Sequence, residues 1–204
     1  MSKKMIATTL AAAAMALSAV AAHATEGPWL VRARAVNLDS ANKDTTGLGL
    51  SVNNKVIPEV DISYFITPNI AAELILTYPQ KHDLKSKGTK IGSLKHLPPT
   101  LSLQYHFAPT ASFRPYVGVG VNYTHFSSVE FAPAVVAALK PSIKSDSYGL
   151  SVQAGADFEV AKNLYLNVDI KKVQIGTKVY SAGAEAGKFK VDPLLVGIGL
   201  GMRF

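Results

Sequence analysis

The chain of 204 residues contains no cysteine, which excludes disulfides, thiolate metal sites, dithiol redox chemistry and a lipid anchor on a cysteine. Past Ala22 it also lacks any apolar run approaching the ~20 residues that a membrane-spanning helix requires. If such a chain crosses a membrane, it does so as a closed barrel, the other architecture that pairs every backbone polar group in lipid. Acidic residues are few, 14 against 21 Lys and Arg, and the formal charge is +7. His82, His96, His106 and His125 lie on separate segments without metal-binding spacing such as HExxH. Gly118-x-Gly120 and Gly197-x-Gly199-x-Gly201 fall inside extended stretches and do not open a helix, so they are not phosphate-cradling loops. No catalytic set, cofactor or metal is indicated.

What is present begins with Met1-Ser-Lys-Lys, an alanine-rich apolar segment from Met5 to Ala22, and the small-x-small site Ala22-His23-Ala24. This is the pattern of an export signal over residues 1–24, leaving a single domain over 25–204. A transmembrane helix is the rival reading. Thr8, Thr9 and Ser18 interrupt the run, and no basic flank stops it.

The rest alternates with period two. Strands are expected over Trp29–Leu38, Lys55–Ile66, Ile70–Tyr78, His96–Phe107, Phe113–Phe126, Tyr148–Val160, Leu164–Gln174 and Leu194–Phe204. On each, one row is apolar and the other polar, charged or glycine. The terminal strand sets Leu194, Val196, Ile198, Leu200, Met202 and Phe204 against Leu195, three glycines and Arg203. The connections Asp39–Asn54, Pro79–Lys95, Ser127–Ser147 and Ile175–Lys190 are long. The intervening turns, such as Thr67-Pro68-Asn69 and Ala161-Lys162-Asn163, are short. Long outer loops alternating with short periplasmic turns, with both chain ends periplasmic, define an all-β, eight-stranded antiparallel transmembrane β-barrel of the outer-membrane type. Two aromatic girdles are expected. Trp29, Tyr64, Tyr105, Phe107, Phe113, Phe158 and Phe204 would lie at the periplasmic end, and Tyr78, Tyr123, Phe126 and Tyr148 at the outer end. A soluble sandwich or lipocalin-like barrel would alternate equally well, but it would set too many charges on a packed face.

Three motifs carry a resemblance. Phe113-Arg-Pro-Tyr-Val-Gly-Val-Gly-Val-Asn-Tyr-Thr-His-Phe126, His96-Leu-Pro-Pro-Thr100, and Asp192-Pro193 followed by the strand to Phe204 resemble the outer-membrane protein W (OmpW) family. Leu101-Ser-Leu-Gln-Tyr-His106 is also similar to the related alkane-uptake barrels. The resemblance covers essentially the whole exported chain. It implies a bacterial outer-membrane barrel with a narrow, largely hydrophobic channel for small apolar molecules.

Several residues become candidates on this reading. Arg32, Arg34, Glu59, Asp61, Glu73, Asp157, Glu159, Asp169, Lys171 and Arg203 fall on inner rows and are expected to form an ion network filling the lumen. An apolar pocket near the outer mouth would draw on Leu84, Ile91, Leu94, Leu97, Phe131, Val135, Val136 and Leu139, with Phe131–Lys140 as a short helix over it. These residues could equally pack loop against loop. Pro98 and Pro99 remove two amide donors from a strand end and offer a lateral exit into the bilayer, unless they only terminate the strand.

The expected partners are membrane lipid, small apolar solutes, the assembly machinery acting on the Phe204 strand, and lipopolysaccharide. The lipopolysaccharide phosphates would face Lys81, Lys85, Lys87, Lys90, Lys95, Lys140, Lys144, Lys178, Lys188 and Lys190. Nucleic acid is not expected. A structural or adhesive barrel without transport is the alternative function. A lipid-modifying enzyme has only His125 beside Ser127 and Ser128 in its favour.

Overall fold

The computed structural model describes residues 27–204; the expected export signal over 1–24 lies outside the described residues. Fifteen strands and one helix follow in order: β1 (Trp29–Asp39), β2 (Lys43–Asp44), β3 (Leu50–Val52), β4 (Lys55–Phe65), β5 (Ile70–Leu76), β6 (Gln80–Ser86), β7 (Thr89–Leu97), β8 (Thr100–His106), β9 (Phe113–Phe131), α1 (Pro133–Leu139), β10 (Pro141–Ile143), β11 (Asp146–Ala161), β12 (Leu164–Val173), β13 (Gly176–Ser181), β14 (Ala184–Lys190) and β15 (Leu194–Arg203). Eight of them, β1, β4, β5, β8, β9, β11, β12 and β15, pair antiparallel in succession. The circle closes where β1 meets β15, in register from Leu30↔Arg203 to Asp39↔Leu194. At this seam no strand edge is left for lipid to meet, as hydrocarbon requires.

The period-two rows fall as the sequence implies. Val56, Val60, Leu74, Leu101, Leu103, Val117, Val119, Val121, Leu150, Val152, Ile170, Val196 and Ile198 are exposed, while Arg32, Arg34, Asp61, Glu73 and Asn167 are fully buried. Apolar outside and ionic inside is the inverse of a water-soluble barrel.

The aromatic girdles are present, with two corrections to the outer row of side chains. Phe126 is buried because it continues the inner row of Tyr116, Asn122 and Thr124. Met202 keeps the outward register opposite Val31 and Leu164 and is nonetheless buried.

The expected fourth strand, His96–Phe107, is two strands. Pro98 and Pro99 have no amide hydrogen to give a ladder. β7 ends before them and β8 begins after them. The long connections are also more ordered than alternation suggested. Pro79–Lys95 forms most of the β6–β7 hairpin, and Ile175–Lys190 contains the β13–β14 hairpin. β9 runs on to Phe131 by exchanging its barrel neighbour β8 for β7, through pairs from Leu97↔His125 to Gly92↔Phe131. β10, β13, β14 and β2 make a second sheet above the barrel. These segments satisfy their backbone groups by pairing with each other. The helix expected over Phe131–Lys140 spans Pro133–Leu139.

Glycines make room at the closing seam. A Cβ on Gly199 would stand 2.0 Å from the Ala33 carbonyl oxygen. Because that neighbour is backbone, no side-chain rotation relieves the clash. Gly199→Val is therefore expected to prevent closure of β1 on β15, read as loss of the compact, heat-modifiable species on gels after refolding into vesicles. Gly183→Ala, in an outer turn with nothing within 4 Å, meets only the local strain of its φ of 85° and should still give that species.

Candidate functional site

β1 carries Arg32 and Arg34 two residues apart, so both guanidinium groups enter the lumen from one wall. Arg32 holds Asp157 on the opposite side through Nε to Oδ1 at 3.0 Å and Nη2 to Oδ2 at 2.6 Å, and donates Nη1 to Asp61 at 3.0 Å and to Ser63 at 3.2 Å. Arg34 reaches Asp61 at 2.6 Å, Glu59 at 3.1 Å and Glu73 at 3.3 Å. Lys171 lies 3.4 Å from Glu59 and 3.8 Å from Asp169.

Three neutral residues complete the network. Tyr116 donates to Asp169 (2.9 Å), Gln153 to Glu73 (2.7 Å), and Asn167 to Asp157 (2.8 Å). They lay on polar inner rows but carry no charge to single them out. Glu159 and Arg203, expected in the same network, lie apart toward the periplasmic end. Glu159 is 3.5 Å from Arg114, while Arg203 stacks 4.0 Å from the Phe65 ring centre and donates to the Gly27 carbonyl at 2.8 Å. An eight-stranded barrel is just wide enough to be filled by side chains. Here the fill is a charge-assisted plug tying β1 to β4, β5, β11 and β12.

Above the plug the interior changes character. Leu38, Ile57, Ile75, Val173, Ile175 and Leu195 line a cavity of about 20 Å³, whose floor includes Glu59 and Lys171. Farther out, Leu84, Ile91, Leu94, Phe131, Val135 and Leu139 surround a second cavity of about 40 Å³ with wholly apolar exposed lining. Of the expected pocket residues, Leu97 and Val136 do not line it, and Val136 is 46% exposed on α1. Leu38, Ile57, Leu84, Leu94, Val173, Ile175, Val179, Phe189 and Leu195 belong to one buried cluster that spans both cavities. The apolar character was legible only for the outer part. The deeper wall comes from single apolar residues at the outer ends of rows that are otherwise charged.

The lower cavity borders a gap in the barrel wall. β5 and β8 last pair at Ile75↔Thr100, and β6 and β7 begin at Gln80↔His96. No ladder pair joins the intervening Leu76–Pro79 to Leu97–Pro99 among the described residues. On the β5 side, Thr77 turns its hydroxyl to the Pro58 carbonyl at 3.0 Å. On the β8 side, the Asn122 amide holds the carbonyls of Pro98 (3.3 Å) and Pro99 (3.1 Å). Thr77 and Pro98, one from each side, line the cavity.

His96 also faces this space, stacked on His82 with ring centres 4.7 Å apart. His82 Nδ1 meets the Asn53 carbonyl at 3.0 Å, whereas both nitrogens of His96 have no hydrogen-bond partner among the described residues. Burial, with the His82 ring and Lys55 adding to it, holds the His96 imidazole down to about 3. His82 is lowered as well, first by burial, with the Asn53 carbonyl and Asp83 opposing and Lys55 assisting.

Fold and interior together define an outer-membrane barrel whose lower lumen is closed by an ionic plug and whose outer half holds a continuous apolar cluster beside a few buried polar side chains. The chain belongs to the OmpW family, whose sequence pattern matches residues 24–204. An outer-membrane protein of Sinorhizobium fredii is 38% identical over 95% of this chain and 90% of its own length. Outer membrane protein W of Vibrio cholerae is 34% identical over 94% and 95%. The crystal structure of OprG from Pseudomonas aeruginosa superposes with a TM-score of 0.76 at 26% identity, covering 87% of this chain and 96% of that one. The protein is accordingly one of the bacterial outer membrane.

Two outcomes follow from the site. Arg34→Met leaves Glu59, Asp61 and Glu73 short of a cation and should lower barrel stability by about 3–5 kcal/mol in urea titrations in vesicles. Glu159→Gln, at a partly exposed pair, should change it by less than ~1 kcal/mol. The histidine pair excludes protons when packed, whereas the opened hairpin binds them near pH 6.5. Stability of the β6–β7 hairpin should therefore be full above about pH 6.5 and fall progressively as the pH is lowered toward 3. Amide protection factors across β6 and β7 measure this, and His96→Leu should flatten the dependence.

Proposed function

We propose that this protein admits small hydrophobic molecules through the outer membrane by passive binding and release. Solutes enter beneath the outer hairpins, follow the apolar interior, and leave sideways between β5 and β8 at Pro98-Pro99. One juxtaposition carries this reading: an apolar interior ends on a charged plug at the point where the adjacent wall has no ladder. An apolar solute continuing downward would have to desolvate or part paired buried charges. The lateral step, level with the girdle residue Tyr123, whose amide meets the Pro99 carbonyl at 3.2 Å, opens at the boundary between headgroups and acyl chains and parts no buried ion pair.

The two cavities hold little more than water-sized volumes. A solute therefore passes by displacing side chains of the outer cluster, as in a gated site rather than an open pore. No catalysis is assigned. The His125 ring hydrogen-bonds Asp146 at 2.9 Å, and no bond joins it to Ser127 or Ser128 among the described residues. The Phe204 strand is the segment we assign to recognition by the assembly machinery, and residues 1–24 to the export signal.

Uptake of a fluorescent apolar tracer into the bilayer of proteoliposomes tests the route. Replacing Pro98 and Pro99 by Val and Thr restores two amide donors to the wall and is expected to slow uptake about tenfold or more, with the barrel still folded. Unchanged uptake would discard the lateral exit. Uptake no faster than in protein-free liposomes would leave the structural or adhesive reading in its place.

A further inference from the structure

We propose that the outward face of the second sheet is a binding site for the phosphorylated headgroup of an outer-leaflet glycolipid. In the strand order β10-β13-β14-β2, Lys178 lies directly opposite Lys188, and Lys190 directly opposite Lys43. Phe189 between them is buried, so the flanking Lys188 and Lys190 point the other way, into solvent. Lys144 joins the same edge, its amide hydrogen-bonded to the Lys178 carbonyl at 3.0 Å. Like charges directly opposite on one sheet face repel. Two such pairs side by side call for a counter-anion.

The protein supplies little of one. Glu185 is committed to Lys178 at 2.7 Å, and Asp146 accepts from Tyr123 at 2.7 Å and from His125 at 2.9 Å. Lys43, Lys144, Lys188 and Lys190 have no ion pair among the described residues. Lys144, Lys178, Lys188 and Lys190, four cations against the single carboxylate of Asp146, line an open cleft of about 300 Å³, far larger than either interior cavity.

The level of the cleft argues for a lipid. Its lower lining includes Tyr148, which is 79% exposed and packs as a tilted ring 5.1 Å from that of Tyr123 in the outer aromatic girdle. Amphipathic rings mark the headgroup depth. The lysines therefore stand just above that depth, with lipid-facing Leu150 and Val152 below on β11. A ligand with phosphates on a sugar head and acyl chains beneath matches both halves. Inorganic phosphate matches only the upper one. The cleft is separate from the solute route, which runs inside the barrel.

The test uses the full barrel refolded in nanodiscs, with diphosphoryl lipid A, monophosphoryl lipid A and inorganic pyrophosphate as probes, read by retained lipid in native mass spectrometry and by Tm. Diphosphoryl lipid A is expected to be retained and to raise Tm, the monophosphoryl form less so, and pyrophosphate at equal phosphate not at all. Substituting Lys144, Lys188 and Lys190 together by Gln should weaken retention on the order of a hundredfold, at roughly one increment per lysine near an anionic surface, and raised salt should do the same to the parent protein. Because these side chains are exposed, the variant should fold, which gel mobility checks, and its tracer uptake should be unchanged. Retention by the folded variant equal to the parent's would overturn the site. An equal Tm rise with pyrophosphate would overturn its assignment to lipid.

Discussion

Hydrocarbon offers no hydrogen bonds, so every amide and carbonyl that faces it must be paired within the wall. That constraint closes β1 on β15 and leaves apolar residues alone on the outer rows. It also gives meaning to the place where pairing fails. Over most of the circumference the ladder is continuous, and nothing can slip between strands. At Leu76–Pro79 and Leu97–Pro99 it is not. Two prolines that only punctuate the sequence stand, in the closed wall, beside the one stretch where β5 and β8 have stopped pairing and β6 and β7 have not begun.

The plug and the apolar interior above it depend on each other. A barrel of eight strands has to be filled, and charges are admissible there only when each has partners close by. Arg32 and Arg34 meet this by bridging to carboxylates on β4, β5 and β11. The result is a lumen crossed from wall to wall by paired charges. Above it the Leu, Ile and Val cluster is held by dispersion contacts alone, while the hydrogen bonds there gather on the side of Asn122, Thr77 and His82.

Much of this was readable from residue order. Strict alternation placed Arg32, Asp61, Glu73, Asp157 and Lys171 inside, and it placed the lipid-facing valines and leucines outside. The spacing of turns gave eight strands and their up-down order. Phe126 departed from the expected girdle for the same reason that the inner row succeeded, since its parity is that of Asn122 and Thr124. The outer hairpins were harder to see. β6, β7, β13 and β14 have water on one side and loop on the other, so lysines and glycines interrupt the period that lipid enforces in the wall.

Residue order alone therefore determined which faces meet lipid, because a period of two needs no partner to be expressed. The tertiary structure decided which charges meet. Asp157 and Arg32 are 125 residues apart, and only closure brings them to 2.6 Å. It also separated Glu159 and Arg203 from that group, joined the two apolar cavities through one cluster, and set Lys178 against Lys188. Each of these depends on register across the circle, a quantity that pairing between distant strands fixes and local pattern does not contain.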